Sequence, residues 1–176
     1  MTSDSSFWRG KAQIHRTKHY AMNYTELKRK TLSEAIKRHQ RVIDDFRARI
    51  STVLNEEPVS DGEGSDRSRQ ARTAEALLTQ VDPLGDQLEF ANEEMKLLYD
   101  MMAHRDDVHE QVELGSIVAT DKDTFFVSAS IERFDVDGRN MFGLSTKTPL
   151  YLAMAGKREG DSFTYGNTTY TINEIF

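Results

Sequence analysis

Residues 31–53 read TLSEAIKRHQRVIDDFRARISTV, and this stretch decides the fold. Apolar residues and one histidine recur in it at alternating intervals of four and three, which is the spacing of a coiled-coil seam. The seam consists of Leu32, Ile36, His39, Ile43, Phe46, Ile50 and Val53. Asn23, with Glu26 three residues later, has the pattern of a capping box, so a first helix is predicted from residue 23.

A second seam with the same spacing follows a segment that contains proline and glycine. It runs through Ala71, Ala74, Leu78, Val81, Gly85, Leu88, Asn92, Met95, Tyr99 and Met102. Two antiparallel helices joined by one bend pair residues whose numbers add to a constant. A sum of 124 matches every layer of the first seam and pairs, for example, Phe46 with Leu78 and His39 with Gly85, so that large residues tend to face small ones. The sequence therefore predicts an antiparallel coiled-coil hairpin over residues 23–106, preceded by an extension over residues 1–22 that is either packed on the helices or disordered.

His39 is the one polar residue in the first seam, and two interpretations of it are open. As a functional residue it would be a switch or a ligand. As a structural residue it would fill the space beside Gly85 and bond to a backbone carbonyl that Pro83 leaves without its helical donor. The pairing with glycine favours the structural interpretation.

The bend between the helices is acidic. Residues 55–66 read NEEPVSDGEGSD, with no lysine or arginine. Their carboxylates belong to Glu56, Glu57, Asp61, Glu63 and Asp66. A chain that devotes about a third of its residues to such a hairpin usually uses its tip, although a loop of this composition is also typical of a merely solvated segment.

Bulk composition excludes several classes of protein. The chain has 176 residues, a net charge of −6 and no cysteine, so a disulfide framework and a thiol nucleophile are excluded. No apolar run reaches the roughly 18–20 residues that span a bilayer, and no signal peptide is evident, so a cytoplasmic protein without membrane contact is expected. Basic residues concentrate in residues 9–49. The overall acidity argues against direct binding of duplex DNA and favours a protein partner.

Residues 107–176 change in character and predict a small antiparallel β-domain with one short helix, in an α+β chain. Alternating segments over 112–121 and 124–131 predict a hairpin, and residues 139–144 a further strand. Thr148 is a candidate N-cap with Pro149 at the first helical position, and Gly156 ends that helix. A last hairpin joins residues 162–165 to residues 168–175.

Four segments of this domain carry a resemblance to a known family. They are ELGSIV (113–118), LSTKTPL (144–150), AMAGKREGD (153–161) and YTINEI (170–175). Together they resemble the C-terminal domain of the bacterial Gre transcript-cleavage (transcription elongation) factors, and the order of hairpin and then domain is also that family's. The resemblance covers roughly residues 112–176.

The resemblance implies an FKBP-like C-terminal domain and a monomeric factor that binds RNA polymerase. The hairpin would enter the polymerase secondary channel, and the factor would modulate transcript cleavage or elongation, or inhibit them. The implied polymerase contact is the turn that contains Ser145, Thr148 and Pro149. Lys147 stands there where the family more often has an acidic or amide residue.

The resemblance also gives the tip a role. In the family the second helix begins Gly-Asp-x-x-Glu-Asn, and its two carboxylates hold a Mg²⁺ ion in the polymerase active centre, so the factor has no cofactor and no enzyme activity of its own. Gly64-Ser-Asp66 can be placed on that start, which leaves Asp66 as the first carboxylate, but Arg69 stands three residues on, where Glu is expected. Asp61 and Glu63 are the loop carboxylates that can substitute, and crowded carboxylates can also chelate Mg²⁺ unproductively. Catalytic support and inhibition therefore stay open, with Asp61 and Asp66 as the implied metal ligands.

Two other functions fit parts of the sequence. An FKBP-like fold also suits a peptidyl-prolyl isomerase or chaperone, which needs an aromatic-lined cleft. A coiled coil suits a non-catalytic adaptor that dimerises through its helices, but a hairpin that buries both of its seams leaves little apolar surface for a partner.

Overall fold

The computed structural model describes the backbone of residues 6–55 and 66–176, and the side chains of residues 24–55 and 75–176. In chain order the elements are α1 (Ser6–Asn55), α2 (Asp66–Met102), β1 (Ile117–Thr120), β2 (Thr124–Ser128), β3 (Ile131–Val136), β4 (Arg139–Ser145), α3 (Pro149–Met154), β5 (Ser162–Tyr165) and β6 (Thr168–Ile175). The chain forms two compact units. We call Ile36–Leu97 the helical unit, and Met1–Ala35 with Leu98–Phe176 the sheet unit.

The first helix begins earlier than the capping pattern predicts. α1 starts at Ser6, so Asn23 lies inside the helix and the prediction that it is an N-cap is wrong. All seven residues of the predicted seam of α1 are buried or half-buried, while Arg41, Val42 and Asp44 between them are exposed.

The helical unit joins its two helical segments through a small apolar cluster. Ile43, Ala91 and Met95 are buried in it, and Ile36, Phe46 and Leu88 pack against them. The predicted seam of α2 is wrong in phase, because Asn92 is exposed where the neighbouring Ala91 is buried. Leu78, the predicted partner of Phe46, is 58% exposed. The predicted and the observed seam share Leu88 and Met95 and differ in the residue between them, which is Asn92 in the prediction and Ala91 in the structure. A step of four residues then three and a step of three then four fit the helical period equally well, so the period does not decide between them.

The sheet unit contains a six-stranded sheet in the order β3-β4-β2-β1-β6-β5. The hairpins β1–β2, β3–β4 and β5–β6 are antiparallel, and the sequence predicts the first and the last of them. The prediction of an antiparallel domain is nevertheless wrong, since β2 and β4 run parallel and the sheet is mixed. The predicted strand over 124–131 is in fact two, because the chain bends after Ser128 and starts the edge strand β3 at Ile131.

Gly143 makes this change of strand possible. It lies in β4 opposite Phe126 of β2 and Ile131 of β3. A Cβ atom on Gly143 would lie 2.6 Å from the carbonyl oxygen of Ala129 and 2.7 Å from Cβ of Ile131. The connection from β2 to β3 therefore crosses β4 at a distance that only glycine allows.

Both faces of the sheet are buried at its central strands β1 and β2. Val118, Phe125 and Val127 share a cluster with Met154 of α3, and the alternating residues Ile117 and Phe126 are buried as well. Since successive side chains of a strand point to opposite faces, α3 can cover only one of the two.

Residues 24–35 of α1 are part of the sheet unit. Tyr24 stacks on Phe176 with ring centroids 4.6 Å apart and donates a hydrogen bond to Glu174 of β6. Lys30 pairs with Asp137, in the turn between β3 and β4, at 2.8 Å. This segment of α1 therefore contacts the sheet at two points that are distant in sequence.

Candidate functional site

The predicted acidic tip falls largely outside the described residues. Asp61 and Glu63 lie in residues 56–65, which the structure does not describe, and for Asp66 and Arg69 it describes the backbone alone. Asp66 is the first residue of α2. The amino end of a helix carries about half a unit of positive charge, so this position suits a carboxylate.

The predicted partner-binding residues form one ordered turn. The backbone N–H of Thr148 donates to the carbonyl of Ser145 at 3.1 Å, and the Thr148 hydroxyl donates to the same oxygen at 2.8 Å. That hydroxyl also accepts from the backbone N–H of Tyr151, which confirms the predicted N-cap of α3. The Ser145 hydroxyl in turn accepts from the backbone N–H of Lys147 at 3.3 Å.

These hydrogen bonds decide which parts of the turn a partner could touch. The hydroxyls of Ser145 and Thr148 are engaged within the turn, whereas Lys147 and Pro149 are exposed. Leu152, one helical turn beyond, is 67% exposed. The turn therefore presents a lysine and an apolar ridge on a rigid support.

A second polar site lies within the helical unit. His39 is buried, and its Nε2 lies 2.8 Å from the carbonyl oxygen of Ala91. This contact corrects the predicted pairing of His39 with Gly85. The accepting carbonyl is also not the one that Pro83 frees, because a proline at 83 removes the donor to the carbonyl of Thr79.

A third polar site was not found by sequence reasoning. The buried Lys28 of α1 donates to the carbonyl of Asp107 at 2.5 Å, and His109 Nδ1 lies 2.7 Å from Glu113 Oε1. Burial lowers the pKa of Lys28, partly offset by the nearby carboxylates of Asp107, Asp106 and Glu113. The hydrogen bond from His109, and next that from Gln111, lowers the pKa of Glu113. The Lys28 contact fastens the segment between α2 and β1 to α1 within the sheet unit, and the contacts of Glu113 hold that segment together internally.

One signal in the sequence could have found this site. Lys28 lies four residues before Leu32, in step with the seam of α1, so a charged residue is predicted on an apolar face. The pairing of His109 with Glu113 has no comparable signal, because residues 107–116 form neither helix nor strand.

The aromatic residues of the sheet unit pack on one another. Phe163 stacks on Tyr170 at 5.0 Å, and Phe125 contacts both Tyr170 and Phe142 at just over 6 Å between ring centroids. Lys122 lies over the ring of Tyr170 and Arg133 over that of Phe142. These rings therefore pack together within the sheet unit, and two of them have a cation over one face.

No His, Asp or Glu side chains within residues 24–55 and 75–176 form a group of three or more that could hold a metal ion. None of the helices that the structure describes is long and apolar enough to cross a membrane. Comparison with protein-family models, curated proteins and solved structures finds no match to this chain.

Proposed function

We propose that this protein is a Gre-like accessory factor that binds bacterial RNA polymerase and acts through the secondary channel with its acidic residues 55–66. The observation that carries the proposal is the order of the elements. Two helices of 50 and 37 residues are separated by a short acidic segment and followed by a small α+β unit with a capped turn. This order resembles that of the Gre factors, as do the segments quoted from residues 113–175.

The turn at Ser145–Pro149 supports the binding half of the proposal. A contact surface held by its own hydrogen bonds loses little conformational entropy when a partner binds. The hydroxyls of Ser145 and Thr148 keep the turn in shape, so the direct contacts to polymerase fall to Lys147, Pro149 and the exposed Leu152.

The start of α2 supports the second part of the proposal, that the acidic residues act in the polymerase active centre. Asp66 stands at the positive end of a helix, with Asp61 and Glu63 shortly before it in the chain. Carboxylate oxygens are the ligands that Mg²⁺ prefers, and in two-metal phosphoryl chemistry Mg²⁺ clamps the attacking and leaving oxygens. Arg69 brings a positive charge to the position of the second family carboxylate. We therefore expect altered elongation rather than efficient transcript cleavage.

The test uses purified core polymerase and stalled elongation complexes. The unsubstituted protein should bind the core enzyme and change the rate of elongation or of cleavage. The double substitution Asp61→Ala with Asp66→Ala should abolish that change and leave binding intact.

A matched control comes from the same helix. Asp82→Ala with Asp86→Ala removes the same charge from two exposed positions of α2 and should leave both binding and effect unchanged. Failure of the unsubstituted protein to bind core polymerase would end the proposal. If the effect on elongation or cleavage persists after Asp61 and Asp66 are replaced, those two carboxylates are not needed for it, and the proposed role of the acidic segment is wrong.

Substitutions of Arg69 provide a second test in the same stalled complexes. Arg69→Glu restores the family's pair of carboxylates three residues apart, so transcript cleavage in stalled complexes should rise above the level of the unsubstituted protein. Arg69→Gln removes the positive charge without adding a ligand and should not raise cleavage. Equal cleavage by all three proteins would show that this position does not decide the direction of the effect.

A further inference from the structure

One polar contact is buried in the apolar interior of the helical unit. His39 is 3% exposed, and the side chain of Glu94 beside it is 11% exposed. A backbone carbonyl can only accept a hydrogen bond, so His39 Nε2 carries the hydrogen and donates it to Ala91. Glu94 Oε2 lies 3.8 Å from the same nitrogen.

The apolar seams alone do not determine how the two helices align. Within residues 75–102, the part of α2 whose side chains the structure describes, Gly85 is half-buried and Ala91 is buried, and an imidazole can approach the helix backbone at either of these small residues. Matching large with small side chains predicts Gly85 as the partner of His39, whereas in the structure the partner is Ala91. Both alignments place apolar residues opposite apolar residues, because the seams repeat.

The two alignments differ in what surrounds the imidazole. Beside Ala91 the residue three positions on is Glu94, which approaches Nε2. Beside Gly85 the residue three positions on is Leu88, which offers only carbon. A backbone carbonyl is within reach of the imidazole in both alignments, but only beside Ala91 does a carboxylate also approach it. Because a buried polar group costs less free energy where more polar groups surround it, Glu94 distinguishes two alignments that apolar packing leaves nearly equivalent.

We propose that His39 is the residue that selects the alignment of α1 and α2 within the helical unit, with the Ala91 carbonyl and Glu94 as its latch. A single polar residue in a seam is the best-attested device for fixing the register of packed helices. The proposal concerns the helical unit alone and does not depend on the proposed function.

The absence of cysteine from the chain makes a disulfide-trapping test possible. The pair Ile43→Cys with Leu88→Cys reports the observed alignment, because both residues belong to one cluster. The pair Ile43→Cys with Val81→Cys reports the alignment with Gly85. Each pair is oxidised in the full-length protein, after circular dichroism has verified its helix content, and the disulfide yields are compared.

With His39 present, the 43–88 disulfide should exceed the 43–81 disulfide by about tenfold. His39→Leu should reduce this ratio about two- to tenfold, the range that one net intramolecular hydrogen bond covers. His39→Gln keeps a donor for the Ala91 carbonyl and should retain most of the preference. Glu94→Leu changes the more exposed of the two side chains and should also lower the ratio. It therefore keeps the test available if His39→Leu does not fold.

A ratio that is unchanged in both His39→Leu and Glu94→Leu would overturn the proposal, since apolar packing would then fix the alignment by itself. A dominant 43–81 disulfide in the presence of His39 would also overturn it.

Discussion

The sheet unit and the helical unit bury apolar residues on very different scales. In the sheet unit a single cluster contains eight buried residues from five strands, α3 and the segment before β1, and six half-buried ones pack against it. In the helical unit, among the described side chains of residues 36–55 and 75–97, the buried cluster consists of Ile43, Ala91 and Met95. Because local opening is easiest where few apolar contacts are lost, the helical unit should open at a lower free energy than the sheet. One polar contact such as that of His39 therefore matters more in the helical unit.

Glycine-to-alanine substitutions test the difference between the two units, and the largest effect is expected in the sheet. Gly143→Ala should lower the free energy of unfolding by about 3 kcal/mol, at the upper end of the usual range for overpacking. The reason is that the added methyl group meets the backbone of Ala129 as well as Ile131, and backbone cannot move aside as a flexible side chain would. Denaturant unfolding followed by circular dichroism measures the change. A loss below about 1 kcal/mol would mean that the crossing of β4 can relax.

The same substitution in the helical unit should have the opposite sign. Gly85 lies within α2, and no atom of the described residues, apart from its own stretch of helix, lies within 4 Å of where its Cβ would be. Gly85→Ala should therefore raise the stability of the helical unit by about 0.5–1 kcal/mol, because alanine loses less backbone entropy on forming a helix. Native-state hydrogen exchange of the α2 amides reports this unit separately. Slower exchange is expected, and faster exchange would indicate that α2 needs the glycine for packing.

These two glycines also show what the sequence can and cannot predict. Features decided by neighbouring residues were predicted correctly, including the Thr148 cap and the β1–β2 and β5–β6 hairpins. The parallel pairing of β2 with β4 was not, because it depends on a contact between Gly143 and Ala129 that no local pattern reveals. The phase of α2 was wrong for a related reason, since a heptad repeat does not identify its own partner.

In the candidate functional sites, too, the local contacts are predictable from the sequence and the long-range contacts are not. The turn from Ser145 to Pro149 is predictable, because each of its hydrogen bonds joins residues at most three positions apart. The contact of Lys28 with Asp107 joins residues 79 positions apart, and only the folded chain brings them together. The carboxylates of Asp61 and Glu63 lie outside the described residues, so their role stays a prediction.

Lys28 provides a smaller test within the sheet unit. Since burial lowers its pKa in the folded protein, the unfolded chain binds more protons over the range just below the ordinary lysine value of 10.5. The free energy of unfolding should therefore rise as the pH rises through that range. Lys28→Met fills similar space without the charge and should flatten the rise. The effect should be smaller than that of Gly143→Ala, because Asp107, Asp106 and Glu113 offset part of the desolvation.

Denaturant unfolding at several pH values between 8 and 10.5 measures this slope. Lys96→Met is the matched control, because Lys96 is an exposed lysine of α2 in the helical unit. The control should keep the rise. A slope that persists in Lys28→Met would assign it to other groups.

Glu113 provides the smallest effect, at acid pH. Its pKa is lowered from 4.5 in the folded protein by the hydrogen bond from His109, so the contact stabilises the fold above pH 4.5 and its contribution is lost as the pH falls through the lower, folded value. Because the Glu113 side chain is 46% exposed, we expect no more than about 1 kcal/mol. Glu113→Gln should unfold with a weaker acid dependence, whereas Glu132→Gln, at an exposed position of β3, should not. Identical acid profiles for Glu113→Gln and the unsubstituted protein would show that the His109 contact does not stabilise the segment before β1, and Lys28 would then be its main polar anchor.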